Sequence, residues 1–214
     1  WLARAVDALP GENPSPLRAV AFGTVFPDIL RGAPAASLVQ RLEDLRLGAG
    51  DPFQKRLAAM YAGGDDPVGR AGRETMKVLK TLDRLDPKRY RPSGGAKYPE
   101  TPLGNGLRQT AILVKADVGL AAAALDRGGW DTHVTQGGAT GFLASQFADV
   151  GDSLAAFAKD LGKEMSRVTV VVMTEFGRRV PENSGLGTDH GRASAWLAMG
   201  GGVKGGKVHG RWPG

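Results

Sequence analysis

The sequence predicts an α/β fold built on a mostly parallel sheet flanked by helices, and three stretches of its second half carry that prediction. Residues 168–173 (Val-Thr-Val-Val-Val-Met) form an apolar, β-branched run suited to a parallel strand covered on both faces. Residues 140–162 place Leu143, Phe147, Val150, Leu154, Phe157 and Leu161 at alternating spacings of four and three, the pattern of a helix face meant for burial. A small apolar strand near 119–125 precedes that helix. The order strand–loop–helix–strand–loop–strand implies a right-handed βαβ crossover.

The remaining elements follow along the chain. Residues 1–9 read as the tail of a helix, ended by Pro10-Gly11. Arg18 to Phe22 is a short strand, and Gly23 to Pro34 is loop. Asp51-Pro52 opens a helix, with Asp as N-cap and Pro in the first turn. Asp66-Pro67 repeats the device ahead of a longer helix that runs to about Asp86. Val78, Leu79, Leu82 and Leu85 form its apolar stripe, while Arg73, Lys77, Lys80 and Arg84 line a solvated face. Tyr90 to Gly106 is a Pro/Gly-rich connection that leads into a helix over 106–117. A last strand covers Trp196 to Met199. On this reading residues 1–105 are a helical, loop-rich part or cap of the domain, and 106–214 are its α/β part.

Composition narrows the function classes. Glycine supplies 32 of 214 residues, about twice its ordinary share, without a G-X-Y period, so it marks turns and close backbone approaches. A net charge of +6 suits an anionic surface or substrate. Aromatic content of 7%, with no arginine-rich tail, argues against nucleic acid. Cysteine is absent, which removes disulfides, thiolate chemistry and cysteine-ligated zinc. No apolar run is long enough to span a bilayer as a helix. The start at Trp1, with no basic–apolar leader, and the end at Trp212-Pro213-Gly214 both read as cut.

Two of the three histidines stand beside an aspartate, in Asp131-Thr132-His133 and Asp189-His190. Borderline metals take carboxylate oxygens and imidazole nitrogens converging from different loops. Residues two apart in an extended segment project to one side, which pairs Asp131 with His133. Both follow a predicted strand, where ligands of open α/β sheets bind. Glu175 lies just past the 168–173 strand, and Asp189 and His190 lie in a Gly-flanked loop able to add two ligands. An Asp–His pair for general-base work is the alternative use of these residues. Toward the end, Gly200-x-Gly202-x-x-Gly205 and Gly201 to Lys207 imitate nucleotide-binding loops. Val208-His209-Gly210 follows where a helix should open, so they read as a glycine-rich turn.

Four motifs occur in order: Gly-Gly-Trp-Asp-Thr-His (128–133), Thr-Glu-Phe-Gly-Arg (174–178), Gly-Thr-Asp-His-Gly (187–191) and Gly-Gly-x-x-x-Gly-x-Trp-Pro-Gly (205–214). With Tyr98-Pro99 through Leu107 and Ala111, they resemble the bacterial domain of unknown function 1501 family. The likeness is looser over residues 1–90. That family is placed in the alkaline phosphatase and sulfatase superfamily. The resemblance implies an alkaline phosphatase-like sheet with a metal centre at its edge, usually of two ions. Zinc leads, with manganese, calcium or magnesium as alternatives. It also implies a twin-arginine export signal and a periplasmic or secreted location. Family members carry a further strand and an Asp-bearing glycine loop before this region, and another strand after it, so the fold is expected to be incomplete here.

Carried over by motif, Asp131 and His133 resemble the first Asp…His ligand pair of the superfamily, at a shorter spacing. Two registers remain for the second pair. By wording, Asp189-His190 is the Asp-His-Gly element. By topology, Glu175 replaces the aspartate, Phe176 replaces a histidine ligand, and Asp189-His190 supplies the later histidine. The topological register is slightly preferred. His209 is the weakest candidate. Arg178 either binds an anionic group in two-point fashion or pairs with Glu175 or Glu182 to hold its loop. Two functions follow as expectations. One is a metal-dependent hydrolase of phosphate or sulfate esters, acting on an anionic small molecule or polymer. The other is a non-catalytic relative serving envelope assembly or polymer binding.

Overall fold

Strand β1, Ala19–Phe22, is buried along its whole length and organises the first of two compact units. A computed structural model describes residues 1–9, 15–33, 36–45, 52–63 and 66–211. One unit takes Trp1–Pro92 and Asn105–Asp126, the other Ser93–Gly104 and Arg127–Gly214. These units do not follow the division at 105/106. The Pro10-Gly11 helix stop, Pro34, the Asp51 cap and the terminal Trp-Pro-Gly lie outside the described residues.

In the first unit β1 runs parallel to both neighbours, β2 (Ala36–Val39) and β3 (Ala122–Leu125), giving the order β2-β1-β3. The period of two along β1 splits its side chains between two apolar clusters. Val20 and Phe22 join Leu17, Val39, Leu42, Leu82, Ile112 and Leu113. Ala19 and Ala21 join Leu30 and Val6 of helix α1, Leu2–Ala8. The parallel strand covered on both faces is therefore β1. The chain is α/β, and the first half supplies two of the three parallel strands: β1, expected at 18–22, and β2, which was not expected. Helix α2 spans Pro52–Ala62. Helix α3, Pro67–Leu85, starts where Asp66 accepts from Val68 N and Gly69 N at 2.9 Å each. Its Leu82 is buried and Val78 and Leu85 pack against the first cluster, while Lys77 and Lys80 are exposed. Helix α4 covers Pro102–Ala116, four residues earlier than expected at its start. Thr101 caps it through Gly104 N at 3.0 Å, with Pro102 as first residue, the same signature as Asp66-Pro67.

The second unit corrects two expectations. Helix α5, Phe142–Leu161, buries Gln146, Asp149, Ser153, Ala156, Phe157, Asp160 and Leu161. Phe147, expected inside, is 62% exposed. The polar stripe is buried because partners meet each group. Asp149 accepts from Thr101 Oγ1 and Arg127 Nε, both at 2.7 Å. Asp160 accepts from Ser93 N at 2.7 Å and Tyr98 Oη at 2.8 Å. Strand β4, Thr169–Val172, is not a covered parallel strand. It pairs antiparallel with β7, Leu197–Gly200, and alternate residues are exposed. Its partner returns from downstream, so the expected βαβ crossover does not form. Two short strands lie between them, β5 (Gly177–Arg178) and β6 (His190–Gly191), also antiparallel. No helix among the described residues is long and apolar enough to cross a membrane.

Candidate metal centre

Three segments of the second unit are knitted side by side. Thr135 N donates to Gly185 O and Gln136 N to Leu186 O, both at 2.9 Å, and Thr188 N donates to Thr132 O at 3.2 Å. The β5–β6 ladder sets Arg178 opposite His190. Close backbone contact explains two motif glycines. A Cβ at Gly187 would lie 2.3 Å from His133 C and O, and one at Gly191 would lie 2.5 Å from Arg178 C.

Side chains at 131–133 alternate in direction, although the backbone bends at His133 and Thr132 N turns back to Trp130 O at 2.9 Å. Thr132 is buried and donates to Gln136 Oε1 at 2.8 Å, which Thr188 Oγ1 also reaches at 2.7 Å. Asp131 and His133 share the other side, with His133 Nε2 3.0 Å from Asp131 Oδ1. His190 Nε2 reaches the same oxygen at 2.8 Å. One ligand atom each from Asp131, His133 and His190 falls within 4.8 Å of the others, a group able to hold a metal ion. The hydrogen bond with His190, and then the charges of His133, His190 and Arg178, hold the Asp131 carboxyl below the usual carboxylate range.

Asp189 stands behind this group rather than in it. Its Oδ1 contacts His133 Nδ1 at 3.0 Å and accepts from Asn183 Nδ2 at 2.9 Å. Those two bonds, Asn183 first, lower its pKa as well. Of its two nitrogens only Nδ1 makes a hydrogen bond to a carboxylate, and a carboxylate only accepts, so a neutral His133 in that bond is the Nδ1–H form. Its Nε2 then turns a lone pair toward the anionic Asp131, unless a second proton or another cation lies there. That arrangement suits a metal ion bound through Nε2.

The other candidates separate. Glu175 is exposed and outside the group. Phe176, in the motif position where the topological register replaces a histidine, stacks on His190. Arg178 donates to Thr188 O, to Trp130 O at 2.6 Å and to Asp131 Oδ1 at 3.3 Å. It clamps two motif loops through their carbonyls, and neither Glu175 nor Glu182 is its partner among the described residues. His209 reaches Lys204 O at 3.1 Å within the glycine-rich turn, away from the group. Asn183 was not legible as a site residue. Its only local signal is a turn-forming setting, Pro-Glu-Asn-Ser-Gly.

A family model described as "Protein of unknown function (DUF1501)" matches residues 89–214, more than half of the chain. The chain belongs to the DUF1501 family. The DUF1501 match covers every residue of the metal group together with Asn183, Asp189 and Arg178. No curated protein and no solved structure gives a significant match to the chain.

Proposed function

We propose that Asp131, His133 and His190 bind a divalent transition metal in a metal-dependent hydrolase of phosphate or sulfate esters, on an alkaline phosphatase-like fold. The convergence of two imidazole nitrogens and one carboxylate oxygen within 4.8 Å carries this reading. That donor set suits zinc first and manganese next, whereas calcium and magnesium favour oxygen ligands throughout. Three protein ligands leave a coordination position for water or substrate, the pattern of catalytic rather than structural sites. A metal held there polarises an ester oxygen and lowers the pKa of a bound water. The chain's own residues orient the site: the hydrogen bond from His190 leads in holding the Asp131 carboxyl ionised, and Arg178 ties down the Trp130 and Thr188 carbonyls beside it. A net charge of +6 favours an anionic small-molecule or polymer substrate. Export to the periplasm or beyond is part of the same proposal and rests on the family resemblance.

A second reading, a non-catalytic envelope binding or assembly protein, is favoured by one observation. Arg178, the basic side chain nearest the group by sequence motif, is engaged with carbonyls rather than facing an anion site. Metal analysis of chelator-free protein, followed by a screen of phosphate mono- and diesters and sulfate esters with each metal, separates the readings. Stoichiometric zinc or manganese with turnover supports the hydrolase. Metal without turnover of any ester moves the assignment to the binding protein, and no metal removes the metal site.

A further inference from the structure

We propose that Asp189 and Asn183 are positioning residues that lock His133 in its Nδ1–H tautomer, so that its Nε2 lone pair faces Asp131 and His190. The proposal deepens the metal reading and rests on it for its purpose, though not for its geometry. Asp189 precedes His190, a residue of the metal group, yet its own oxygen lies on the far side of the His133 ring, at Nδ1. Asn183 holds that oxygen in place with four side-chain bonds of its own. Its Nδ2 donates to Asp189 Oδ1 at 2.9 Å and to His133 O at 3.0 Å. Its Oδ1 accepts from Gly185 N at 2.9 Å and Gly187 N at 3.1 Å. Its backbone closes the same turn, with Asn183 N to Gly187 O at 2.8 Å and Leu186 N to Asn183 O at 3.2 Å. The amide thus ties the carboxylate, the His133 backbone and the 183–187 turn into one unit.

The chemistry requires each residue type. A carboxylate accepting from one imidazole nitrogen fixes which nitrogen is free and raises its basicity, and losing such a partner typically costs 10- to 100-fold in metal affinity. An amide at 183 both donates to that carboxylate and accepts from two backbone N–H groups, whereas a carboxylate there could only accept.

Long-range ¹⁵N–¹H spectra of the imidazoles, recorded above the end of their titration, read the tautomer directly. Wild-type His133 is expected as Nδ1–H, and on zinc loading its Nε2 signal takes the metal-bound shift. In the shape-preserving Asp189→Asn variant and in Asn183→Asp, the Nε2–H form gains population and zinc affinity falls about 10- to 100-fold. Glu175→Gln changes neither. Wild-type His133 found as Nε2–H, or ligating through Nδ1, overturns the proposal even if every variant fails to fold. So does an Asp189→Asn variant with tautomer and zinc affinity within about twofold of wild type, set against the loss expected for such a partner. Zinc failing to bind a wild-type chain whose His133 is Nδ1–H defeats the metal reading and leaves the positioning pair standing.

Discussion

His190 lies flat against Phe176, with ring centroids 4.2 Å apart and planes 11° from parallel. The Arg178 guanidinium sits over the same phenyl ring, 4.9 Å from its centroid. One of the three metal-group side chains is thereby held by a ring that cannot ligate. Replacing Phe176 with Ala frees the imidazole without removing a ligand. Zinc affinity, measured by competition with a chromophoric chelator, is expected to fall severalfold, in line with about 0.5–1.5 kcal/mol for an aromatic pair. His190→Ala should instead abolish binding. Equal effects of the two substitutions would show that His190 is not a ligand.

Arg178→Lys tests the loop clamp. Lysine cannot hold Trp130 O and Thr188 O together, since it lacks the planar fork. The Arg178 side chain is only 22% exposed, so unfolding free energy is expected to drop by about 1–3 kcal/mol. The protein should still take up metal, because Arg178 is not a ligand. Urea denaturation and metal content report the two effects separately. A variant as stable as wild type but impaired in ester turnover would restore the substrate-binding role for Arg178.

Gly187→Ala should damage both fold and site. The added methyl would meet His133 C and O at 2.3 Å and Thr132 O at 2.5 Å, all backbone atoms that move only by parting the two segments. A melt lowered by the equivalent of about 1–3 kcal/mol, together with weakened zinc binding, is the expected result. An unchanged melt would mean that 132–136 and 185–188 are not packed this closely.

Asp149 supplies a pH signature away from the metal group. Burial pushes its carboxyl up, but hydrogen bonds from Thr101 and Arg127 and the Arg127 charge outweigh that and leave its pKa lowered. A carboxyl whose folded pKa is depressed adds stability that is fully present above its unfolded value of about 3.9. That contribution is lost as pH falls through the lower folded value. Asp149→Asn should therefore be less stable than wild type at neutral pH, and the gap should narrow as the solution is acidified below about pH 4. Denaturant melts across that range measure the gap, and a gap constant with pH would remove Asp149 as its source.

What the sequence determined by itself is local. The two-residue spacing of Asp131 and His133 pairs them, and their side chains meet at 3.0 Å. Asp66-Pro67 announced the start of α3, and Thr101-Pro102 carried the same capping information for α4. The apolar runs located β1, β3, β4 and β7. Tertiary structure decided the rest, through partners distant in the chain. The buried face of α5 keeps Phe157 and Leu161 from the predicted stripe but adds polar groups, because Tyr98, Thr101 and Arg127 reach it from other segments, which helical periodicity cannot register. The strand β4 became antiparallel because its partner returns from residues 197–200. Asp189 and His190, adjacent and alike as candidate ligands, part at His133: Asp189, 56 positions away in the chain, meets its Nδ1, while His190 meets the Asp131 oxygen that lies 3.0 Å from its Nε2. The hydrogen-bond geometry of that one imidazole, with one nitrogen toward each side, separates the residue that holds the ring from the residues that face it across the metal group.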